Sequence, residues 1–184
     1  MRLAIALILL ALTPLGAQRS LPSRSELSAV EQSMLEKLRK HRIDAPYEVL
    51  GLPRGIYLEG YGAVFTAEVN LAQMSGLSIF RPQLSKEEVE QLRAAKLKRV
   101  PEFKQLMRQM LVDSAATLDR VPVEERVVLG MVLVYNRWED RAGMPQMITM
   151  QAQRQDLLKI LKTPAGANPE QRATLERAIS VREE

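Results

Sequence analysis

The chain has 184 residues, of which 46% are hydrophobic and 26% charged, and its formal net charge is +4. These values are typical of one globular domain of ordinary size and exclude a disordered tail or a fibrous repeat. The sequence has no cysteine and a single histidine, His41. Disulfides, thiolate metal sites, cysteine nucleophiles and multi-histidine zinc sites are therefore excluded, and we expect no cofactor.

The N-terminus has the pattern of a secretory signal peptide. A short positive segment precedes uninterrupted apolar residues at 3–12, and small residues follow before a polar glutamine. The apolar run is shorter than the roughly 20 residues that span a bilayer, and it lacks the polar face of a buried helix, which is the alternative. We predict a signal peptide over residues 1–17, cleaved near Ala17-Gln18, and one mature domain over residues 18–184. The destination is the periplasm or the medium.

The first half of the domain predicts one helix and one hairpin. Ser23 and Glu26 stand at capping-box spacing, and apolar residues follow at helical spacing, which predicts a helix over residues 24–42. Residues 56–71 are rich in β-branched and aromatic residues, alternate in polarity and contain glycine-bearing turns. This pattern predicts a β-hairpin.

The middle of the chain predicts two successive helices. Ser85 and Glu88 repeat the capping-box spacing and open a helix that runs to about residue 99. Pro101 suits the first position of a second helix, which Pro122 ends.

The remaining pattern predicts strands followed by short helices. The nine apolar residues at 127–135 favour a strand that is covered on both faces at the centre of the sheet. Further along, the patterns predict an antiparallel strand at residues 145–150, a helix at 151–161 and a second helix that begins at 168. Residues 179–181 could either end this helix or form an edge strand. The fold class is therefore α+β, a single domain whose mainly antiparallel sheet (hairpin 56–71, strands 126–136 and 145–150) is packed by helices.

The predicted hairpin is the first candidate site. Tyr57, Glu59 and Tyr61 lie within five residues of one another beside glycines, and tyrosines suit the binding of a peptide or a sugar. The alternative is a glycine-bearing turn whose tyrosines cover the edge of the core. Glu68 adds a carboxylate on the following strand, but no partner at a defined spacing indicates acid–base catalysis.

A basic segment is the second candidate site. It could contact an anionic surface, whereas the alternative is an ordinary solvated helix face. Phe103 is its single aromatic residue, so a stacking platform for nucleic acid is missing and no nucleic-acid partner is expected. The segment carries six positive charges, on Arg93, Lys96, Lys98, Arg99, Lys104 and Arg108.

Two further patterns give weaker indications of a functional site. Met144, Met147 and Met150 repeat every third residue, as thioether ligands of Cu(I) could, but in a strand Met147 and Met150 point to opposite faces. Core methionines explain the pattern. His41 lies between two basic residues and is expected to be a surface histidine. The sequence shows no P-loop, dinucleotide fingerprint, nucleophile elbow or zinc-protease motif.

These observations favour an exported, non-catalytic module that binds or assembles with another component of the cell envelope. One alternative is a small extracytoplasmic hydrolase-like enzyme with a site near Tyr57, Glu59 and Tyr61. A second alternative is a peripheral binder of anionic membrane through the basic segment. The sequence leaves the partner and the oligomeric state open.

Overall fold

The structure is a computed structural model that describes residues 21–42, 44–73, 85–164 and 169–184. The predicted signal peptide lies outside these residues. The fold is α+β, a single domain in which helices pack on a five-stranded mixed sheet, as predicted. The helices are α1 (Arg24–Lys40), α2 (Lys86–Thr117), α3 (Arg154–Lys162) and α4 (Pro169–Glu176). The strands are β1 (Glu48–Leu58), β2 (Gly62–Asn70), β3 (Arg126–Leu133), β4 (Met147–Gln153) and β5 (Ser180–Glu183).

The strands lie in the sheet in chain order, β1-β2-β3-β4-β5. Three neighbouring pairs are antiparallel, and β2 with β3 is the parallel pair, connected through α2. The sheet is therefore mainly antiparallel. The first strand begins at Glu48 rather than at residue 56, and of the two alternatives for the C-terminus the edge strand is the one that forms, as β5.

Both predicted capping boxes are present. The hydroxyls of Ser23 and Ser85 accept hydrogen bonds from the backbone of Glu26 and Glu88, whose side chains accept in return from the two serine N–H groups. The prediction of two helices around Pro101 is wrong, because α2 continues through it. A proline inside a helix removes one hydrogen bond, but apolar residues before and after Pro101 are buried in the core, and their burial offsets this loss.

One face of the sheet carries the core. Phe65, Leu129 and Met150, on three adjacent strands, are fully buried beneath α1, α2 and α3. No described helix packs on the opposite face, which we call the open face. The expectation that β3 is covered on both sides is therefore wrong, and Val132 on its open face is 39% exposed.

Candidate functional site

Strand β1 presents its even-numbered side chains on the open face along its whole length. Between the pairs Glu48–Asn70 and Arg54–Thr66 the chain advances six residues in β1 and four in β2, so two extra residues are accommodated by bulges. One extra residue would turn every later side chain to the other face, whereas two restore the alternation.

The result is a row of large apolar side chains exposed on one strand. Leu50 is 49% exposed, Leu52 50%, Ile56 56% and Leu58 46%. Scattered apolar residues are common on protein surfaces, but four on one face of one strand, two on each side of Arg54, are typical of an interaction surface. The sequence already contains this alternation, which our prediction of a hairpin beginning at residue 56 missed.

The open face is concave beside this row. Gly130 lies on the central strand of this face, and a Cβ atom there would come within 3.1 Å of the Met147 methyl group. The absence of a side chain at Gly130 therefore leaves a depression in the surface. A cavity of about 650 Å³ is lined by Gly51, Leu52, Arg54, Thr66, Ala67, Glu68 and Val132. A second cavity, of about 330 Å³, is lined by Glu48, Leu50, Asn70, Gln73, Val134, Asn136 and Trp138.

Charges on the open face are separated along the strands. The half near the β1–β2 turn is basic, and the half near Trp138 is acidic. Arg54 pairs with Thr66, Arg126 with Gly62, and Arg182 with Thr149. Paired residues point to the same side of a sheet, so this register places the charged groups together on the open face. The basic side chains are Arg54, Arg126 and Arg182, and the acidic ones are Glu48, Glu68 and Glu184.

The structure does not bring the predicted tyrosine site together. Tyr57 packs against the core on the covered side of the sheet, while Tyr61 lies at the open face with its hydroxyl 3.5 Å from Gln151. Glu59 is exposed in the turn between them. Glu68 faces Gly51 at the opposite end of β2, so no single pocket contains the four groups of the enzyme hypothesis.

The turn itself has a structural explanation. Gly60 adopts a φ of +77° and donates its N–H to a Glu125 carboxylate oxygen at 3.1 Å. The Tyr61 carbonyl accepts a hydrogen bond of 2.9 Å from the backbone N–H of Arg126. The guanidinium of Arg126 lies 5.9 Å from the Tyr61 ring centroid. The turn is thereby fastened to the start of β3.

Lys96, predicted to contact an anionic surface, is completely buried. Its Nζ lies 2.6 Å and 2.9 Å from the two carboxylate oxygens of Glu139 and 4.9 Å from the Tyr135 ring centroid. The Glu139 carboxylate also accepts the backbone N–H of Asn136 at 2.8 Å. This correction follows from helix geometry: the periodicity that buries Leu92 and Val100 also turns the residue between them inward.

The remaining basic side chains of α2 mostly have partners within the protein. Arg93 donates to the Ala142 carbonyl, Arg99 to the Ala45 carbonyl, and Lys104 pairs with Glu183 at 2.7 Å. Lys98 is exposed. The segment is therefore a set of tertiary contacts more than a free cationic face.

The buried pair fixes the loop between β3 and β4. Glu139 follows Trp138, which is 42% exposed, so the ion pair with Lys96 holds this indole at the acidic end of the open face. No sequence pattern indicates Glu139, because no regular spacing links it to a lysine 43 residues earlier.

The other candidate ligands are accounted for by packing. Met150 is buried in the core, Met147 lies on the open face, and Met144 is buried in the loop before β4. His41 stacks on Tyr47 with ring centroids 5.5 Å apart and lies 3.1 Å from a Glu102 carboxylate oxygen.

Within the described ranges, no three histidine, cysteine, aspartate or glutamate side chains are grouped to hold a metal ion. The helices in those ranges include none that is long and apolar enough to cross a membrane. No family model, curated protein sequence or solved structure matches the chain.

Proposed function

We propose that the chain is an exported, non-catalytic binding or assembly module of the cell envelope, and that it makes its contact through the open face of the sheet. The observation that carries this proposal is the row of four half-exposed apolar side chains on β1, at Leu50, Leu52, Ile56 and Leu58. Export rests on the apolar segment at residues 3–12 and the small residues after it.

The row is large enough to drive association. Burying one such side chain completely contributes about 1.5–3 kcal/mol, so covering four that are half exposed contributes about 3–6 kcal/mol. This is a large share of the roughly 8 kcal/mol that corresponds to a micromolar dissociation constant. Trp138 adds an exposed aromatic group of the kind that anchors interfaces.

The two alternatives have weaker support. The enzyme hypothesis needs Tyr57, Glu59, Tyr61 and Glu68 in one pocket. Tyr57 lies on the covered side of the sheet and Glu59 in the turn, while Tyr61 and Glu68 lie at opposite ends of the open face. The membrane hypothesis needs free positive charges on α2, where Lys96 is buried and three other basic side chains already have partners.

Site-specific photo-crosslinking in the producing cells tests the proposal. A photoreactive residue replaces Ile56 on the open face or, as the control, Gln109 on the exposed side of α2. We expect a discrete protein adduct from position 56 only, and we expect the Leu52→Glu substitution to remove it. Equal labelling from both positions, or no adduct from position 56, would contradict a contact through the open face.

The same sample tests export. We expect the protein in the periplasm or the medium to begin at Gln18, as measured by intact mass and N-terminal sequencing. A cytoplasmic protein that retains residues 1–17 would contradict this part of the proposal.

A further inference from the structure

The proposed function does not specify what binds the open face, and the inference about its occupant rests on that function. We infer that the occupant is a second copy of this chain, packed face to face about a two-fold axis that crosses the strands. The open faces of two copies then face each other as the two sheets of a β-sandwich do, with the β1 rows in contact and the concave parts of the two faces opposite one another.

The charge pattern of the open face is self-complementary. A two-fold axis across the strands lays the basic half of one copy on the acidic half of the other, and the reverse. With the axis between the positions of Arg54 and Leu52, Arg182 of one copy faces Glu184 of the other. Arg54 lies toward Glu68 of the second copy. Opposed charges of this kind fix the register of an interface.

The same axis covers the apolar row. It places β1 of one copy over β1 of the other, so that Ile56 packs near Leu50 of the second copy. The axis brings Leu50 and Ile56 of each copy together, while Leu52 lies beside Arg54 of the second copy, so Leu50 and Ile56 form the apolar contact. A homodimer needs this kind of match, because the same patch supplies both halves of the contact.

The area is sufficient. Five strands about 4.8 Å apart, with a mean length of about eight residues at about 3.3 Å per residue, give a face of about 600 Å². Two copies that meet over the whole face bury at most about 1,200 Å² in total, which is at the lower end of specific protein interfaces.

Pairing through the sheet edge is blocked, which directs a second copy to the face. Pro53 has no backbone N–H to donate, and both backbone groups of Gly55 already bond to the side chains of Glu31 and Arg24. The opposite edge, β5, is four residues long.

Sedimentation equilibrium of the purified protein, as the producing cell makes it, tests the inference. Over a concentration series from low micromolar to millimolar we expect a monomer–dimer equilibrium. Ile56→Glu should give a monomer throughout, and Gln109→Glu, which adds the same charge on exposed α2, should leave the equilibrium unchanged.

A charge exchange tests the two-fold arrangement. Arg182 and Glu184 lie 3.8 Å apart within one chain, and their side chains are 77% and 60% exposed, so loss of this surface pair should have little effect on folding. Arg182→Glu opposes like charges twice and should weaken the dimer at least about ten-fold, whereas Arg182→Glu with Glu184→Arg should restore it to within about three-fold. Lys98→Glu, with the same charge change on α2, should have no effect.

Three results would overturn the inference, and one would support it. A monomer at every concentration, or a dimer that is insensitive to Ile56→Glu, excludes a second copy on the open face. If a monomer instead binds vesicles of phosphatidylglycerol and phosphatidylcholine through Ile56, the occupant is lipid. If crosslinking from position 56 gives an adduct with a different protein, the self-association is wrong and the proposed function stands. An adduct of twice the chain mass supports both.

Discussion

The side chain of Glu31 in α1 accepts a hydrogen bond of 2.7 Å from the backbone N–H of Gly55 in β1. Arg24, which pairs with the same carboxylate at 2.7 Å, donates to the Gly55 carbonyl at 3.1 Å. A helix thus satisfies the outward-facing backbone groups at the middle of an edge strand. Only glycine fits there, because a Cβ atom would lie 2.3 Å from the ring of the buried Phe65.

Removal of this carboxylate should destabilise the protein. Glu31→Ala leaves the Gly55 N–H without its partner, and we expect the free energy of unfolding to fall by about 1–3 kcal/mol. Urea denaturation measures the change. Glu36→Ala is the matched control, since its side chain is 69% exposed and forms a surface pair with Lys40, and it should shift stability by less than about 0.5 kcal/mol. Equal effects of the two substitutions would show that the contact at the edge contributes nothing.

The buried pair of Lys96 and Glu139 should be sensitive to the loss of one partner. Lys96→Met leaves a carboxylate buried without its cation, and we expect a loss of about 3–5 kcal/mol in unfolding free energy. The emission of Trp138, the single tryptophan, should shift as the adjoining loop rearranges. Lys98→Met, on the exposed side of the same helix, is the control and should change neither quantity. A loss below about 1 kcal/mol in Lys96→Met would contradict the role of the pair.

Two tyrosines make stability fall at alkaline pH. Burial, together with Glu102 for Tyr47 and Glu139 for Tyr135, raises the pKa of each phenol from 10.0 to about 12. The folded state therefore holds these protons more tightly than the unfolded state does. Their stabilisation is complete below pH 10 and is lost as pH rises from 10 to about 12.

The phenylalanine variants separate the two sites at neutral pH. The Tyr135 hydroxyl donates to the Pro145 carbonyl at 2.7 Å, so Tyr135→Phe should cost about 1 kcal/mol. The buried Tyr47 hydroxyl makes no hydrogen bond of standard geometry in the described part of the chain, although the Arg99 guanidinium lies 4.3 Å from its ring centroid, so Tyr47→Phe should cost less than Tyr135→Phe. Urea denaturation at a series of pH values should show a shallower alkaline decline in each variant; an unchanged decline in both would exclude these phenols as its source.

The two glycines of the β1–β2 turn should differ in their tolerance of alanine. Both have positive φ, +77° at Gly60 and +134° at Gly62. A Cβ atom at Gly60 meets nothing within 4 Å, so Gly60→Ala carries only backbone strain of about 1–2 kcal/mol. At Gly62 it would lie 1.9 Å from the Arg126 carbonyl, which forces β2 away from β3. We expect Gly62→Ala to unfold at a much lower urea concentration than Gly60→Ala, and the reverse order would contradict the register between these strands.

Local patterns in the sequence predicted local structure well. The serine–glutamate pairs at the starts of α1 and α2 and the alternation in β2 depend on neighbours within a few residues, so their structures followed directly. The continuity of α2 through Pro101 did not, because burial of Val100 and Phe103 by distant elements outweighs the local penalty.

Non-local pairing explains the errors at the candidate sites. Lys96 was expected in solvent because its charge was counted without its partner 43 residues later. Leu50 and Leu52 were not assigned to a strand, because Gly51 and Pro53 interrupt the usual pattern and the bulges that accommodate them become visible only against β2. The open face was missed for the same reason.

The parallel contact between β2 and β3 also determines how the chain reaches its native state. Every pair in this contact joins residues 64 positions apart, as for Gly62 and Arg126, whereas β1 with β2 and β3 with β4 are closed by nearby chain. The β1–β2 and β3–β4 pairs can therefore form early, whereas the contact between β2 and β3 forms only after α2 has brought the two pairs together. During refolding, the amides of the two antiparallel pairs should consequently become protected from hydrogen exchange before those between β2 and β3.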